Sequence, residues 1–287
     1  MKKIIVMITL GLISAGYAIS QTSVWKISKG NKEIYLGGSV HLLRPSDFPL
    51  PKEFDVAFAK AGTLVLEADV KSPEIISKIT SASILPEGQT LKSVLTEKQY
   101  QAIYDAATDA GLPFSYIEKM KPGMAIMTLS SAKMSKTNNL TAGGVDIYYY
   151  EKASNKNKNV EFLESIDFQI DMICNLPFDI DEFLTYSLND LEKLDYEDVF
   201  SKLIDEWRQG KATAEAEIQE MKQKYSSVYK AMFSDRNYKW LPKIKKYIED
   251  DNIEFIIVGS AHLWGDDGLL NLLKKEGYKI GQLRIKN

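Results

Sequence analysis

The stretch LGGSVHL at residues 36–42 decides the fold prediction, because its outline returns near the other end of the chain as VGSAHL at residues 258–263. Each stretch reads as the end of a strand followed by a glycine, two small or branched residues and a histidine. His41 and His262 are the two histidines of the chain. Imidazole is the usual proton shuttle or metal ligand near neutral pH, and open α/β sheets bind ligands at the carboxyl ends of their strands. The repeated pattern therefore favours one shared site over two unrelated buried histidines.

Carboxylates follow two other predicted strands. The nearly continuous apolar run at residues 63–66 ends in Glu67, and such runs are typical of central strands that are covered on both faces. A shorter predicted strand at residues 160–163 is followed by Glu164. We expect both carboxylates at the edge of the sheet, where they are candidates for the site.

Composition excludes some classes of protein. Of the 287 residues, 45% are hydrophobic and 26% are charged, which are ordinary values for a globular protein. The net charge is −3 and no basic block occurs, so we do not expect a nucleic acid partner. The single cysteine, Cys174, has mostly apolar neighbours and is expected to be a buried hydrophobic residue.

The first twenty residues have the pattern of a signal peptide. A positive start at residues 1–3 precedes an apolar run at 4–13 and a stretch of small residues that suits cleavage after Ala18 or Ser20. The apolar run is shorter than the roughly 18 to 20 residues that a membrane span needs. The sequence thus predicts a protein that is exported to the periplasm or the medium without stable insertion in a membrane.

The mature chain, residues 21–287, is predicted to be one α/β domain with helical insertions at about 72–137 and 166–225. A loop from Pro45 to Pro51 lies beside the expected site, as a lid or as a simple connector. Asp235 is predicted to cap a helix that runs from Arg236 to about residue 250. A cation at a helix N-terminus opposes the helix dipole, so we expect Arg236 to bind something.

The ordered set of motifs resembles the TraB/GumN family, which includes the Tiki-type metalloproteases, over essentially the whole mature chain. The motifs are the two G-x-x-H stretches, Glu67, Gly144-Val145-Asp146, Leu163-Glu164-Ser165 followed by Gln169, Arg236-Asn237 ahead of Trp240, and the closing stretch 258–270. The resemblance implies an α/β fold of two related halves around a mixed central sheet, similar to erythromycin-esterase-like and haem-binding ChaN-like proteins. For the Tiki branch it implies a divalent-metal-dependent peptidase that acts on extracellular substrates.

The leading interpretation is metal-assisted hydrolysis of a peptide or another small extracytoplasmic substrate. His41, Glu67 and His262 would bind one divalent ion, namely manganese, cobalt or zinc, which would activate water. Glu164 is the candidate general base, and Arg236 with Asn237 would stabilise the oxyanion or hold a substrate carboxylate. Further candidate substrate contacts are Ser39, Asp146, Tyr149 and Ser260.

Two alternatives remain open from the sequence. One is a hydrolase without metal, in which a histidine held by Glu67 acts as general base. The other is an exported protein that binds haem or metal through the histidines and catalyses nothing.

Overall fold

A computed structural model describes residues 22–137, 143–176, 179–193, 196–212 and 215–285. The predicted signal peptide lies outside the described residues. Within them the chain forms a six-stranded mixed sheet with helices on both faces, which confirms the predicted α/β class and mixed sheet. The strands are β1 (Val24–Lys29), β2 (Lys32–Ser39), β3 (Thr63–Leu66), β4 (Asn159–Phe162), β5 (Glu254–Gly259) and β6 (Lys279–Gln282).

The strand order is β4-β3-β5-β2-β1-β6. β4, β3, β5 and β2 run parallel to one another, whereas β1 is antiparallel to both β2 and β6. The sequence predicts two strands at residues 24–28 and 33–37 joined by a hairpin connection, and β1 and β2 form this hairpin, with Lys29 opposite Lys32 and a turn through Gly30 at φ 60°. Every residue of β3 and β5 is buried, as expected for central parallel strands that are covered on both faces.

Helices cover the sheet and form most of the remaining chain. They are α1 (Lys52–Lys60), α2 (Ile75–Ser83), α3 (Leu91–Val94), α4 (Glu97–Asp109), α5 (Pro122–Thr137), α6 (Val145–Asn155), α7 (Ile166–Asn175), α8 (Ile180–Lys193), α9 (Tyr196–Arg208), α10 (Glu215–Lys224), α11 (Ser226–Tyr229), α12 (Asp235–Glu249) and α13 (Leu269–Lys275). Among the described residues, none of these helices combines the length and the hydropathy that a bilayer span requires.

Alternate residues of the central strands feed two separate cores. Phe255 and Ile257 of β5 pack with α1, α6 and α9 on one face of the sheet. Ile256 and Val258 point to the other face and pack with α12 and α13. This alternation is the period of two that a strand imposes, and it produces a three-layer α/β/α arrangement.

Part of the predicted helical insertions forms a core of its own, whereas α9 of the second insertion packs on the sheet. Leu91, Ile103, Ile126 and Leu129, from α3, α4 and α5, cluster with Leu184 of α8 and not with the sheet. The sequence also predicts a helix from about Phe114 to Met120, and this prediction is wrong in extent, because only a 3-10 turn forms at Phe114–Tyr116. Pro113 immediately before it has φ −56° and ψ 123°, which are not helical angles.

The chain enters α12 differently from the prediction. The π-helical turn Lys230–Ser234 joins α11 directly to α12, and Ser234 and Asp235 both have helical backbone angles. Asp235 therefore does not cap a new helix, and Arg236 does not lie at a free helix N-terminus. The dipole argument for Arg236 is wrong for this reason.

Candidate functional site

The carboxyl ends of three adjacent strands bring His41, Glu67 and His262 to one place. β2 and β5 pair in parallel with Ser39 opposite Gly259, and β3 pairs with the other side of β5. His262 follows β5 in a 3-10 turn at Ser260–Leu263. A Cβ atom on Gly259 would stand 3.4 Å from Oε1 of Glu67, 3.5 Å from Nε2 of His41 and 3.6 Å from Cδ2 of His262. The three side chains thus surround the same point, although His262 is more than 190 positions away from both His41 and Glu67 in the sequence.

A cavity of about 250 Å³ opens above this point. The polar part of its lining consists of Ser39, His41, Glu67, Asp146, Gln169 and Arg236. The apolar part, called the apolar wall below, includes Val70 together with Met172 and Ile173 of α7. A cleft that combines a few convergent polar groups with an apolar wall is the usual form of a small-molecule or peptide site.

His41 is paired with Asp146, the first-turn carboxylate of α6. Oδ2 of Asp146 lies 3.4 Å from Nδ1 of His41, and its Oδ1 accepts a hydrogen bond of 2.8 Å from the Ser39 hydroxyl. Partial removal from water lowers the pKa of His41, but the hydrogen bond and charge of Asp146, together with Glu67, outweigh it and raise the pKa to about 9. This pairing leaves Nε2 of His41 facing the cavity.

Gly144 explains how α6 reaches His41. A Cβ on Gly144 would stand 2.1 Å from the carbonyl oxygen of Val40 and 2.5 Å from Cα of His41, so only glycine fits. The amide of Val145 donates to the same Val40 carbonyl at 3.1 Å. The Gly-Val-Asp motif therefore places Asp146 against the imidazole through contact between two backbones.

Glu67 is held from three directions. The Gly259 amide donates to its Oε1 at 2.6 Å, and Gln169 Nε2 and Arg236 Nη2 donate to its Oε2. Burial raises the pKa of Glu67, but the neighbouring imidazoles, the charge of Arg236 and the Gly259 hydrogen bond hold the pKa well below its usual range. Glu67 is therefore an anion within the cleft.

His262 is buried, and its tautomer follows from its neighbours. Asn237 Nδ2 donates to the carbonyls of His262 and Asp267, so Asn237 Oδ1 is the acceptor that lies 2.8 Å from His262 Nδ1. Nδ1 thus carries the hydrogen, and Nε2 accepts a hydrogen bond of 3.0 Å from Arg236 Nη1. Burial, helped by Arg236, lowers the pKa of His262 to about 3, so the ring is neutral.

Arg236 uses all five of its N–H groups. Nη1 donates to His262 and to the Met232 carbonyl, Nη2 to Glu67 and Glu164, and Nε to Glu164. Its guanidinium carbon lies 4.6 Å from the centre of the Trp240 ring. Although the residue is only 5% exposed, its charge is balanced by two carboxylates.

Glu164, the predicted general base, lies behind Arg236. Its side chain is 9% exposed and accepts from Arg236, from Gln169 Nε2 at 3.0 Å and from Trp240 Nε1 at 2.9 Å. These contacts suit a residue that positions Arg236, and its role as a base stays a prediction. Asn237 is likewise buried and contacts His262, so its observed part is to orient that imidazole.

Two of the predicted substrate contacts are elsewhere. Tyr149 is fully buried between Phe54 and Phe58, and its hydroxyl donates to Asp55 at 2.8 Å, so it belongs to the core under the sheet. The helical period turns this tyrosine inward while its neighbour Tyr148 stays 37% exposed. Ser260 is also buried, 3.2 Å from the position of a Cβ on Gly38. Ser39 and Asp146 do line the cavity.

The sequence interpretation did not identify the apolar wall. Met172 and Ile173 lie on α7, whose apolar periodicity marks a packing face but not which residues of it border a cavity. Gln169, one turn earlier, was recognised only as part of a motif, and here it joins Glu67 to Glu164. The signal that could have found these residues is the Ser165 cap, because it starts α7 directly after the strand that carries Glu164.

The structure does not group the predicted metal ligands as a closed set. In the described parts of the chain, no three histidine, cysteine, aspartate or glutamate side chains are arranged so that they could hold an ion together. At the candidate site, Arg236 Nη1 donates to Nε2 of His262 and so engages one of the nitrogen lone pairs that an ion would need.

Comparison with known proteins identifies the family. Residues 23–282 match the TraB/PrgY/gumN family. The chain is also 23% identical over 249 residues to proteins named "Uncharacterized protein YbaP" from Escherichia coli strain K12 and from Shigella flexneri, a match that covers 85% of this chain and 89% of each relative. No solved structure matches the chain. Because the family match extends over nearly all of the residues that form the sheet, the site and its helices, the protein belongs to the TraB/PrgY/gumN family.

Proposed function

We propose that this protein is a metal-dependent hydrolase of the peptidase type, in which His41, Glu67 and His262 hold one divalent ion. The observation that carries the proposal is the convergence of these three side chains on Gly259, each within 3.6 Å of the position of a Cβ there. Two imidazole nitrogens and one carboxylate form a donor set that suits zinc, manganese or cobalt.

The outer contacts of both histidines support this assignment. Metal-binding histidines usually have their other ring nitrogen held by a carboxylate or a carbonyl, which fixes the ring and leaves the ligating nitrogen free to face the ion. Asp146 lies at Nδ1 of His41, and the Asn237 amide oxygen lies at Nδ1 of His262. Nε2 is the remaining donor atom in both rings.

The charges around the cavity also fit a cation. Glu67, Glu164 and Asp146 contribute three carboxylates, and Arg236 is the guanidinium that faces two of them. With both imidazoles neutral, as metal binding requires, the group has a net charge of about −2, which a divalent ion would balance. His41, whose pKa is raised to about 9 by Asp146 and Glu67, would give up its proton when the ion binds. The residues present therefore fit the ion in kind and in charge, provided that Arg236 releases His262.

The bound ion would supply Lewis-acid activation of water and polarise a scissile carbonyl. The chain itself supplies the rest. Gly259 N–H and Gln169 orient the Glu67 carboxylate, and Asp146 orients His41. The wall formed by Val70, Met172 and Ile173 would exclude water and receive an apolar part of the substrate next to the reacting bond.

A second candidate function is hydrolysis without a metal, and one observation favours it. The His41 imidazole is 64% exposed, and its Nδ1 faces the Asp146 carboxylate, which is the arrangement of a histidine general base with an orienting acid. In this case His262 would act only as the acceptor that holds Arg236. Activity that resists chelators would favour this candidate.

The test begins with the mature chain purified without added metal or chelator. Elemental mass spectrometry should find close to one divalent ion per chain in the wild type and none in the His41→Ala/His262→Ala variant. The control is Glu53→Gln, a substitution of a buried polar residue that does not line the cavity, which should keep the ion. A peptide library should then be cleaved by the wild type and not after treatment with EDTA. No ion after reconstitution with manganese, cobalt and zinc would contradict the metal assignment.

Export is a further part of the proposal, and it rests on the pattern of residues 1–20. When the full chain is expressed, the protein should be recovered from the periplasm or the medium in a cleaved form whose first residue is Ile19 or Gln21. Peptide mass fingerprinting of the N-terminus would check this, and full-length protein retained in the cytoplasm would contradict it.

We also propose that the fold consists of two related halves, as the resemblance implies. The support is that β2 and β5 run parallel as neighbours, and each delivers a histidine through Gly-Ser. An experimental structure in which the two strand–turn units fail to superpose together with their flanking helices would contradict it.

A further inference from the structure

The strongest unexplained feature of the site is that Arg236 contacts the atoms that the ion would need. Nη1 lies 3.0 Å from Nε2 of His262, and Nη2 donates to Oε2 of Glu67. The imidazole Nε2 of this tautomer has a single lone pair, which accepts either an N–H or a cation but not both. A divalent ion at the same place would also repel the guanidinium strongly in so buried a position.

The contacts of Arg236 divide into two groups. Glu164 receives Nε and Nη2, at 3.1 Å and 2.7 Å, and is itself fixed by Gln169 and Trp240. Trp240 also lies under the guanidinium. The second group consists of the hydrogen bonds that Arg236 donates to His262 and Glu67, which are both predicted ion ligands. The pairing with Glu164 can therefore persist while the other contacts break.

We propose that Arg236 is an internal cation that holds Glu67 and His262 in the metal-free protein and that an incoming divalent ion displaces from them. Glu164 and Trp240 are positioning residues that retain the displaced guanidinium. This inference rests on the proposed metal site. It gives the buried Arg236–Glu67–Glu164 cluster a purpose, because two carboxylates and a neutral imidazole without a cation would be costly to bury.

The inference makes Arg236 a determinant of metal affinity, with an effect opposite to that of a ligand. Removal of a ligand weakens binding of the ion. Removal of the competing guanidinium should strengthen it, and it should at the same time destabilise the metal-free protein, since Glu67 and Glu164 lose their counter-ion.

The experiment titrates the mature chain, stripped of metal by EDTA dialysis, with Mn²⁺ or Zn²⁺ in a calorimeter. Arg236→Gln should bind the ion at least about tenfold more tightly than the wild type, equivalent to about 1.4 kcal/mol. Its melting temperature should be lower than that of the wild type without metal and should rise further when metal is added. Arg236→Lys should show a smaller increase in affinity, because one ammonium cannot span Glu164 and His262 together.

Two controls keep the outcomes separate. Arg208→Gln removes a guanidinium that stacks on Trp207, away from the cavity lining, and should leave the affinity at the wild-type value. If Arg236→Gln folds only in the presence of metal, the ion has taken over the role of the guanidinium, as proposed. If Arg236→Gln does not fold at all, the ion affinity of Arg236→Lys tests the inference. A higher affinity than that of the wild type supports the inference, and an equal or lower affinity overturns it.

The failure of the inference differs from the failure of the metal site. If the wild type binds one ion and both Arg236 variants bind it equally or more weakly, Arg236 is a permanent part of the metal-bound site and the inference is overturned, while the metal assignment stands. If neither the wild type nor the variants bind an ion, the metal assignment fails and the inference fails with it.

Discussion

Asp146 Oδ2 lies 3.4 Å from Nδ1 of His41, although the two residues belong to different layers of the fold and are 105 positions apart. The Ser39 hydroxyl, on the strand that leads to His41, holds the other oxygen of the same carboxylate. A strand end and a helix start thus share one carboxylate, which sets the direction of the imidazole.

If His41 binds the ion as proposed, Asp146→Asn should weaken metal binding by about 10- to 100-fold, because the carboxylate that orients the ligand histidine is lost while the shape is kept. Calorimetric titration with Zn²⁺ measures this. Ser39→Ala removes only the support of Asp146 and should have a smaller effect. Equal affinity of Asp146→Asn and wild type would show that His41 needs no orienting partner.

Gly144→Ala should destabilise the protein by about 1–3 kcal/mol and impair the site, since a Cβ at this position meets the backbone of Val40 and His41. Urea denaturation gives the free energy of unfolding. The matched control is Gly281→Ala in β6, where a Cβ meets nothing within 4 Å, and its effect should stay within about 0.5 kcal/mol. Similar stability of both variants would contradict the close approach.

Glu254→Gln should change how stability depends on pH. Glu254 is 2% exposed, and its Oε2 has no hydrogen-bond partner among the residues that the structure describes. Burial, aided by the charges of Asp250 and Glu161, raises its pKa to about 7. A raised carboxyl pKa means that the folded protein holds the proton more tightly, so stability falls as the pH rises from about 4.5 through 7. The stability of Glu254→Gln should not show this part of the decrease with rising pH. At pH 8 the free energy of unfolding of the variant should exceed that of the wild type by on the order of 1–3 kcal/mol.

Urea denaturation of Glu254→Gln and wild type at pH 5 and pH 8 provides the measurement. The exposed Glu87→Gln serves as the control and should follow the wild-type dependence on pH. Parallel stability curves for wild type and Glu254→Gln would mean that Glu254 does not titrate abnormally.

Ile173→Asp should raise KM for a peptide with an apolar residue beside the scissile bond by about tenfold or more, with a smaller change in kcat, because the charge lies in the apolar wall and not among the reacting groups. Ile76→Asp is the control, at a position that is 77% exposed. Steady-state kinetics with a peptide found in the library screen measures both constants. A fall in kcat alone would place Ile173 outside substrate binding.

Tyr149→Phe should lower the free energy of unfolding by about 1 kcal/mol, since it removes the hydrogen bond to Asp55 and keeps the ring stacked on Phe54. Tyr148→Phe, one residue earlier and partly exposed, should change stability by less than about 0.5 kcal/mol. Calorimetric melting of the three proteins would measure the difference. Unchanged stability of Tyr149→Phe would argue against a stabilising hydrogen bond between Tyr149 and Asp55.

The strands were predictable because their apolar runs are local information. The run at residues 63–66 and the run at 254–258 predict central strands, and both became strands that are buried at every position. Gly37-Gly38 and Gly259 indicated the ends of β2 and β5, and each of the two histidines follows one of these glycine positions. That Glu67 follows a strand end was predictable for the same reason.

The remaining features depend on contacts between distant residues. Nothing near Tyr149 in the sequence says which of three consecutive tyrosines turns inward, because its partner Asp55 is 94 positions away. Arg236 reaches His262 because a π-helical turn carries the chain continuously from α11 into α12, and such a turn has no local pattern that distinguishes it from a helix start. The hydrogen bonds that Trp240 and Gln169 donate to Glu164 also depend on how separate helices pack, which no local pattern in the sequence indicates.

The separate hydrophobic core of α3, α4, α5 and α8 has a consequence for how proteins of this architecture can diversify. Since those helices stabilise one another without the sheet, their lengths and loops can change while the strand ends stay in register. The reacting groups stand on the sheet edge, whereas the apolar wall comes largely from α7, which packs on the helical side against α2 and α5. Under the proposed function, most of the reacting groups and the apolar contacts to substrate would lie on different parts of the molecule, joined by Gln169 of α7. Exchange of the other helices would then be a practical way to redirect the protein to new substrates.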